Sequence, residues 1–187
     1  MTPNNTAAKQ YIDRVPLYGW AGFDAGAPYL YGLLGRRPNI YEVFSLEKKN
    51  RSPLEATWPV HAMNVWEDNI DTTVRVPDAT GYQISGGFEA LVAYADESNI
   101  TLNYLEEDQV AIGYAVQINN INVDPNIVKA YKDNEKCVSA GGSIKRYLLA
   151  LKVGDPIGTT SNRSFFVVVR DSGAFMDPRL IQDWWEP

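Results

Sequence analysis

From Thr72 onward the chain falls into short runs in which apolar and polar residues partly alternate. They are TTVRV (72–76), YQIS (82–85), EALVAYA (89–95), NITLNYL (99–105) and GYAVQINNI (113–121). A period of two sends successive side chains to opposite faces of a strand, and the β-branched and aromatic residues in these runs favour that conformation. Ser85-Gly86-Gly87, Asp96-Glu97-Ser98-Asn99 and Glu106-Glu107-Asp108 separate the runs with turn chemistry. Further on, YLLALKVGDPIGTTSNRSFFVVVRD (147–171) reads as strand, turn, strand, and SGAFM adds a tight turn and a short return. Strands spaced roughly ten to fifteen residues apart predict an antiparallel sandwich or barrel.

Two short helices interrupt this pattern. Asp124 before Pro125 predicts a helix start, because the carboxylate caps free backbone N–H groups and proline suits a first position that needs no N–H. IVKAYKDNE follows, ending before Gly141-Gly142. Met176-Asp177-Pro178 repeats the signal ahead of RLIQDWW, and Trp184-Trp185 are expected to close over the sheet. Residues 1–57 show no sustained period, and their glycines and prolines oppose both long helices and long strands. They read as an irregular, aromatic-rich wrapping segment with one short strand near Ile40–Phe44. Residues 58–187 read as the β-domain proper.

Composition changes the picture in two places. Twenty-two aromatics, eleven of them Tyr and five Trp, suit a large core with some surface Tyr, and Tyr and Trp can also build sugar-stacking or partner-binding surfaces. The net charge of −6 opposes nucleic acid and anionic membrane surfaces as partners, since both need clustered Lys and Arg. Cys137 is alone, which removes internal disulfides and cysteine metal cages. No apolar run reaches the length of a membrane span. MTPNNTAAKQ lacks the regions of a signal peptide, so the expectation is a cytosolic chain or one whose leader has been removed. Asn-x-Ser/Thr sequons at Asn4, Asn50, Asn99 and Asn162 tilt this towards an extracellular location.

One constellation carries a resemblance. Lys152-Val153-Gly154-Asp155-Pro156-Ile157-Gly158 is followed by Phe166-Val167-Val168-Val169-Arg170-Asp171-Ser172-Gly173 and then Met176-Asp177-Pro178, with Val74-Arg75-Val76-Pro77-Asp78-Ala79-Thr80-Gly81 upstream. In order and spacing this resembles lysostaphin-type zinc endopeptidases over residues 58 to 180, and it implies their duplicated-hybrid-motif β scaffold. The family holds zinc with a histidine, an aspartate four residues later, and the second histidine of a His-x-His pair. Matched residue by residue, the first position is His61, the aspartate position is Val65, and the pair becomes Ser164 and Phe166. A catalytic zinc needs three protein ligands and an open fourth position. The resemblance therefore implies the scaffold without the enzyme, and no metal or other cofactor is expected.

The former groove supplies the candidate binding residues: Trp58, His61, Asn64, Trp66, Ser164 and Asp171. Rings, an amide, an imidazole and a hydroxyl can hold a neutral sugar by stacking and hydrogen bonding. The leading expectation is a non-catalytic module for a glycan or protein surface. A second is a hydrolase acting on polysaccharide or peptidoglycan through a carboxylate pair drawn from Asp68, Asp71, Asp78 and Asp171. The run Glu106-Glu107-Asp108 reads instead as a solvated turn. A third is a homo-oligomeric subunit that assembles through the N-terminal arm. No nucleophile elbow, Walker loop, dinucleotide fingerprint or EF-hand loop occurs.

Overall fold

The computed structural model describes residues 2–6, 28–36, 39–47, 60–79, 84–106, 109–135, 148–171 and 174–176. For 2–6, 39–47, 60–62, 106, 109–112, 135, 170–171 and 174–176 it describes the backbone alone. The protein is mainly β. Its strands are β1 (Thr2–Thr6), β2 (Asn39–Glu47), β3 (Val60–Trp66), β4 (Thr73–Arg75), β5 (Ala90–Ala95) and β6 (Asn99–Glu106). These are followed by β7 (Gln109–Asn119), β8 (Ile121–Val123), β9 (Ala150–Leu151), β10 (Pro156–Thr160), β11 (Ser164–Asp171) and β12 (Ala174–Met176). A 3-10 turn spans Leu30–Leu33, and helix α1 spans Pro125–Glu135.

All pairings are antiparallel. The large sheet runs β1-β2-β3-β11-β7-β6-β5-β9, with β12 pairing β11 beyond the end of β3. The small sheet runs β4-β10-β8. Val74 from β4, Ile157 from β10 and Ile121 from β8 share one buried cluster with Phe165, Val167 and Ile118 of the large sheet. The architecture is sandwich-like, and the described strands close no barrel.

The segment before residue 58 contributes strands to the same large sheet, with Val43 of β2 opposite Met63 of β3. The strand expected near Ile40–Phe44 is β2, longer at both ends than its local pattern predicts. GYAVQINNI, read as one strand, is two. Asn120 adopts a left-handed backbone (φ 67°) and steps the chain from β7 of the large sheet to β8 of the small one. Asparagine tolerates that conformation because its short amide bonds locally. The bonds that hold Asn120 here are long-range: its Nδ2 donates to the Ser164 carbonyl at 2.9 Å, and Ser161 Oγ donates to its carbonyl at 2.8 Å. The stretch 147–171, expected as two strands, holds three: β9, β10 and β11. Of YQIS, only Ile84 is described in a bridge, with Phe88. The helix expected after Pro178 and the Trp184-Trp185 lid lie outside the described residues.

Helix α1 starts as its sequence predicts. Asp124 Oδ1 accepts the Asn126 N–H at 2.8 Å, and Pro125 is the first helical residue. Ile127 and Val128 turn into the core cluster. The Gly154–Gly158 stretch also has a backbone explanation. Gly154 sits at φ +76°, and a Cβ on Gly158 would lie 2.2 Å from the Asn122 carbonyl oxygen. Three buried polar groups are tied down by named partners. Glu67 pairs with Arg36 and accepts the Asn69 N–H, Glu89 accepts the Ala79 N–H at 2.9 Å, and Tyr104 donates to the Pro77 carbonyl at 2.8 Å. Burial pushes the Tyr104 phenol well above its ordinary value, with the Glu89 and Asp78 carboxylates adding to the shift.

Candidate functional site

Period-two alternation divides the large sheet into two unlike faces. On the inner face, Met63, Val65, Phe165, Val167, Val116 and Ile118 are fully closed to solvent. Cross-strand register assigns the outer face row by row, because directly opposed residues project to the same side. One row is Tyr94, Thr101, Gln117 and Val168 on β5, β6, β7 and β11. The next is Asn99, Asn119, Phe166 and Asn64, ending on β3, and a short row beside it joins Ser164 to Trp66. The row on the far side of Thr101 and Gln117 is Leu91, Asn103, Ala115 and Arg170, the last described by its backbone alone.

Among the described side chains on this outer face, none is charged. That is unusual for a chain with forty Lys, Arg, Asp and Glu residues, since strands facing water ordinarily carry them. Thr101, Asn103, Gln117 and Asn119 are half-buried, and no side-chain hydrogen bond joins them to another described residue. They present donors and acceptors of both kinds without the repulsion or desolvation cost of ions. Towards β3 the face closes: Val168 and Asn64 are buried, and Asn64 Oδ1 has no hydrogen-bond partner.

At the β5 end, Tyr94 keeps 44% of its surface in solvent. Its hydroxyl donates to Asp96 Oδ2 at 2.8 Å, and its ring meets Tyr131 of α1 edge-on at 5.7 Å. Asp96 organises the β5–β6 turn. Its Oδ1 accepts the N–H groups of Ser98 and Asn99 at 2.8 and 2.7 Å, and the Asn99 amide bridges both carboxylate oxygens at 3.0 Å. Partial burial works against the Asp96 charge, but the bonds from Asn99, Ser98 and Tyr94 outweigh it and hold the carboxyl at about 2. The hydrogen bond to Asp96 in turn raises the Tyr94 phenol.

Three of the six residues expected from sequence meet on this face: Asn64, Trp66 and Ser164. The Trp66 indole N–H donates to Asp68 Oδ1 at 2.9 Å. His61 lies on β3 at the register shared by Met63 and Val65, opposite Ser45, so its backbone position belongs to the other face. Asp171 ends β11 opposite Tyr114, also in inner-face register. Trp58 lies outside the described residues. Asp68 and Asp71 sit exposed in the β3–β4 turn, the latter at φ 62°.

The zinc positions implied by the resemblance do not fit a metal. Val65 is hydrocarbon and fully buried, Phe166 is hydrocarbon, and register sends the positions of His61 and Val65 to one face and those of Ser164 and Phe166 to the other. Among the described residues no three His, Cys, Asp or Glu side chains are grouped to hold an ion. A cleft of about 400 Å³ lies between α1 and the β5–β6 turn, lined by Glu97, Pro125, Val128, Lys129, Lys132 and Asp133. Its charges are spent on each other, in the pairs Lys132–Glu97 and Lys129–Asp133. No protein-family model, curated protein or solved structure matched this chain in comparison.

Tyr94, Thr101, Gln117 and Asn119 were not among the residues singled out from sequence. Their signal is present in NITLNYL and YAVQIN. The polar half of the alternation is made of amides and a hydroxyl where charges would ordinarily stand.

Proposed function

We propose that this protein is a non-catalytic binding domain whose outer sheet face takes a neutral glycan. The observation that carries the reading is the uncharged lining, with Thr101, Asn103, Gln117 and Asn119 offering half-buried hydrogen-bonding groups beside Tyr94. A polyhydroxylated ligand matches such a surface: it supplies hydroxyls to the amides and C–H faces to a ring, and needs no counter-ion. Among the described side chains of the face, none offers a cation to a phosphorylated or strongly acidic ligand; Arg170, in register with Ala115, is described by its backbone alone. The lysostaphin-like pattern enters this reading as scaffold alone, since its glycine positions answer backbone needs and its ligand positions hold no metal-binding set.

The test is a glycan array on the purified protein followed by titration calorimetry. Neutral polysaccharides are expected to bind, with affinity nearly unchanged between 50 and 500 mM salt, because screening acts on charges. Gln117→Ala is expected to weaken binding about fivefold or more, the cost of a hydrogen bond removed from a half-buried site. Exclusive binding of acidic glycans overturns the reading. So does a defined oligomer by light scattering that Gln117→Arg disrupts, which would make the face a protein interface.

A further inference from the structure

Resting on that reading, we infer that Tyr94 is the anchor of the site and that a saccharide chain lies across the strands, from Tyr94 over Thr101 to Gln117. The ring is well exposed, yet it is fixed at both ends. Its hydroxyl is tethered to Asp96, its ring packs in a T-shaped pair with Tyr131, and Asp96 is itself immobilised by Ser98 and Asn99. An exposed side chain normally loses rotamer freedom when a ligand orders it, and this one has largely lost that freedom already. A ring held in place is suited to stack on the apolar face of a sugar.

Register supplies the direction. Tyr94 stands opposite Thr101, and Thr101 opposite Gln117. At about 4.8 Å per strand, ring, hydroxyl and amide form a line roughly 10 Å long. That line is longer than one sugar ring, so the fitting ligand is a chain and not a monosaccharide. The Asp96 carboxylate beside the ring repels no neutral ligand, and its acceptor positions are taken by its own turn. The described lining suits a neutral oligosaccharide, which satisfies hydroxyl and amide without stranding a charge.

The experiment uses the full chain and calorimetry with hexasaccharides and disaccharides of β-1,4-linked glucose, xylose and N-acetylglucosamine, with hexagalacturonate as the charged control. At least one neutral hexasaccharide is expected to bind ten times or more tightly than its disaccharide. Tyr94→Ala should lower that hexasaccharide's affinity at least tenfold. Tyr94→Phe keeps the ring but cuts the tether to Asp96, and should lower it about threefold with the thermal midpoint little changed. Thr101→Val should lower it severalfold. Binding that survives Tyr94→Ala yet falls in Gln117→Ala sinks the Tyr94 anchor and leaves the neutral face standing. Equal affinity for disaccharide and hexasaccharide sinks the extended ligand. No binding of any neutral hexasaccharide at millimolar concentration, or tighter binding of hexagalacturonate, overturns both this inference and the function beneath it.

Discussion

Asp96 shows how much one side chain can organise. Its carboxylate gathers the Ser98 and Asn99 N–H groups, the Asn99 amide and the Tyr94 hydroxyl, and it holds its charge down to about pH 2 against an ordinary carboxyl near 3.8. A carboxyl with a depressed folded-state value binds fewer protons folded than unfolded, so it stabilises the fold at any pH above its unfolded value. That contribution fades as pH falls from about 4 through 2. Melting curves across this window should show a loss of stability in the wild type that is shallower in Asp96→Asn, where no charge remains to be neutralised. Identical slopes would mean that the turn does not depend on the ionised form. Asn64 is the converse case, a buried amide oxygen with no partner. It was legible in the sequence as polar but not as orphaned, because burial is decided by what packs across the strand.

At the scale of elements, the strands with clean alternation and the helix with a cap were the ones legible from sequence. Residues 99–104 alternate without a break and lie in β6, and Asp124-Pro125 opens α1 as expected. Elsewhere the reading fell short. In 113–121 the apolar rhythm of Tyr114, Val116 and Ile118 stops at Asn119-Asn120 and Ile121 resumes one position out of phase, a local mark of the change of sheet that the one-strand reading passed over. β1 has no apolar pattern at all; its residues TPNNT are placed by pairing with β2. The six candidate site residues were chosen as neighbours in sequence or by resemblance, without parity, which is why His61 and Asn64 were grouped although their positions belong to opposite faces of β3. Gly158 tests how tightly the small sheet is assembled. It pairs with Val74 on one side and Val123 on the other, and a methyl group would drive into the Asn122 carbonyl. Gly158→Ala should cost about 1–3 kcal/mol in chemical denaturation, the usual penalty for overpacking. A neutral result would show that β8 can move aside.

At the scale of the described molecule, charges gather in turns and on α1, and the described outward side chains of the large sheet carry none; Arg170 and Glu42 share that outward register, described by their backbones alone. On β6 and β7 the outward positions 99, 101, 103, 117 and 119 carry Asn, Thr and Gln, half-buried, while the inward positions form the closed core.

The 28–36 segment bears on where an independently folding unit can begin. Leu30 and Leu33 are fully buried, the Tyr29 N–H donates to the Asp78 carbonyl at 2.7 Å, and Arg36 supplies the counter-charge for Glu67 inside the protein. Expression trials that begin at residue 58 would strip two leucines from the interior and strand a carboxylate in a dry environment, which is costly. Such shortened chains should be insoluble or rapidly digested by protease, whereas Arg36→Met in the full chain should fold at a reduced melting temperature. A soluble, protease-resistant 58–187 fragment would show that the first fifty-seven residues are dispensable cladding.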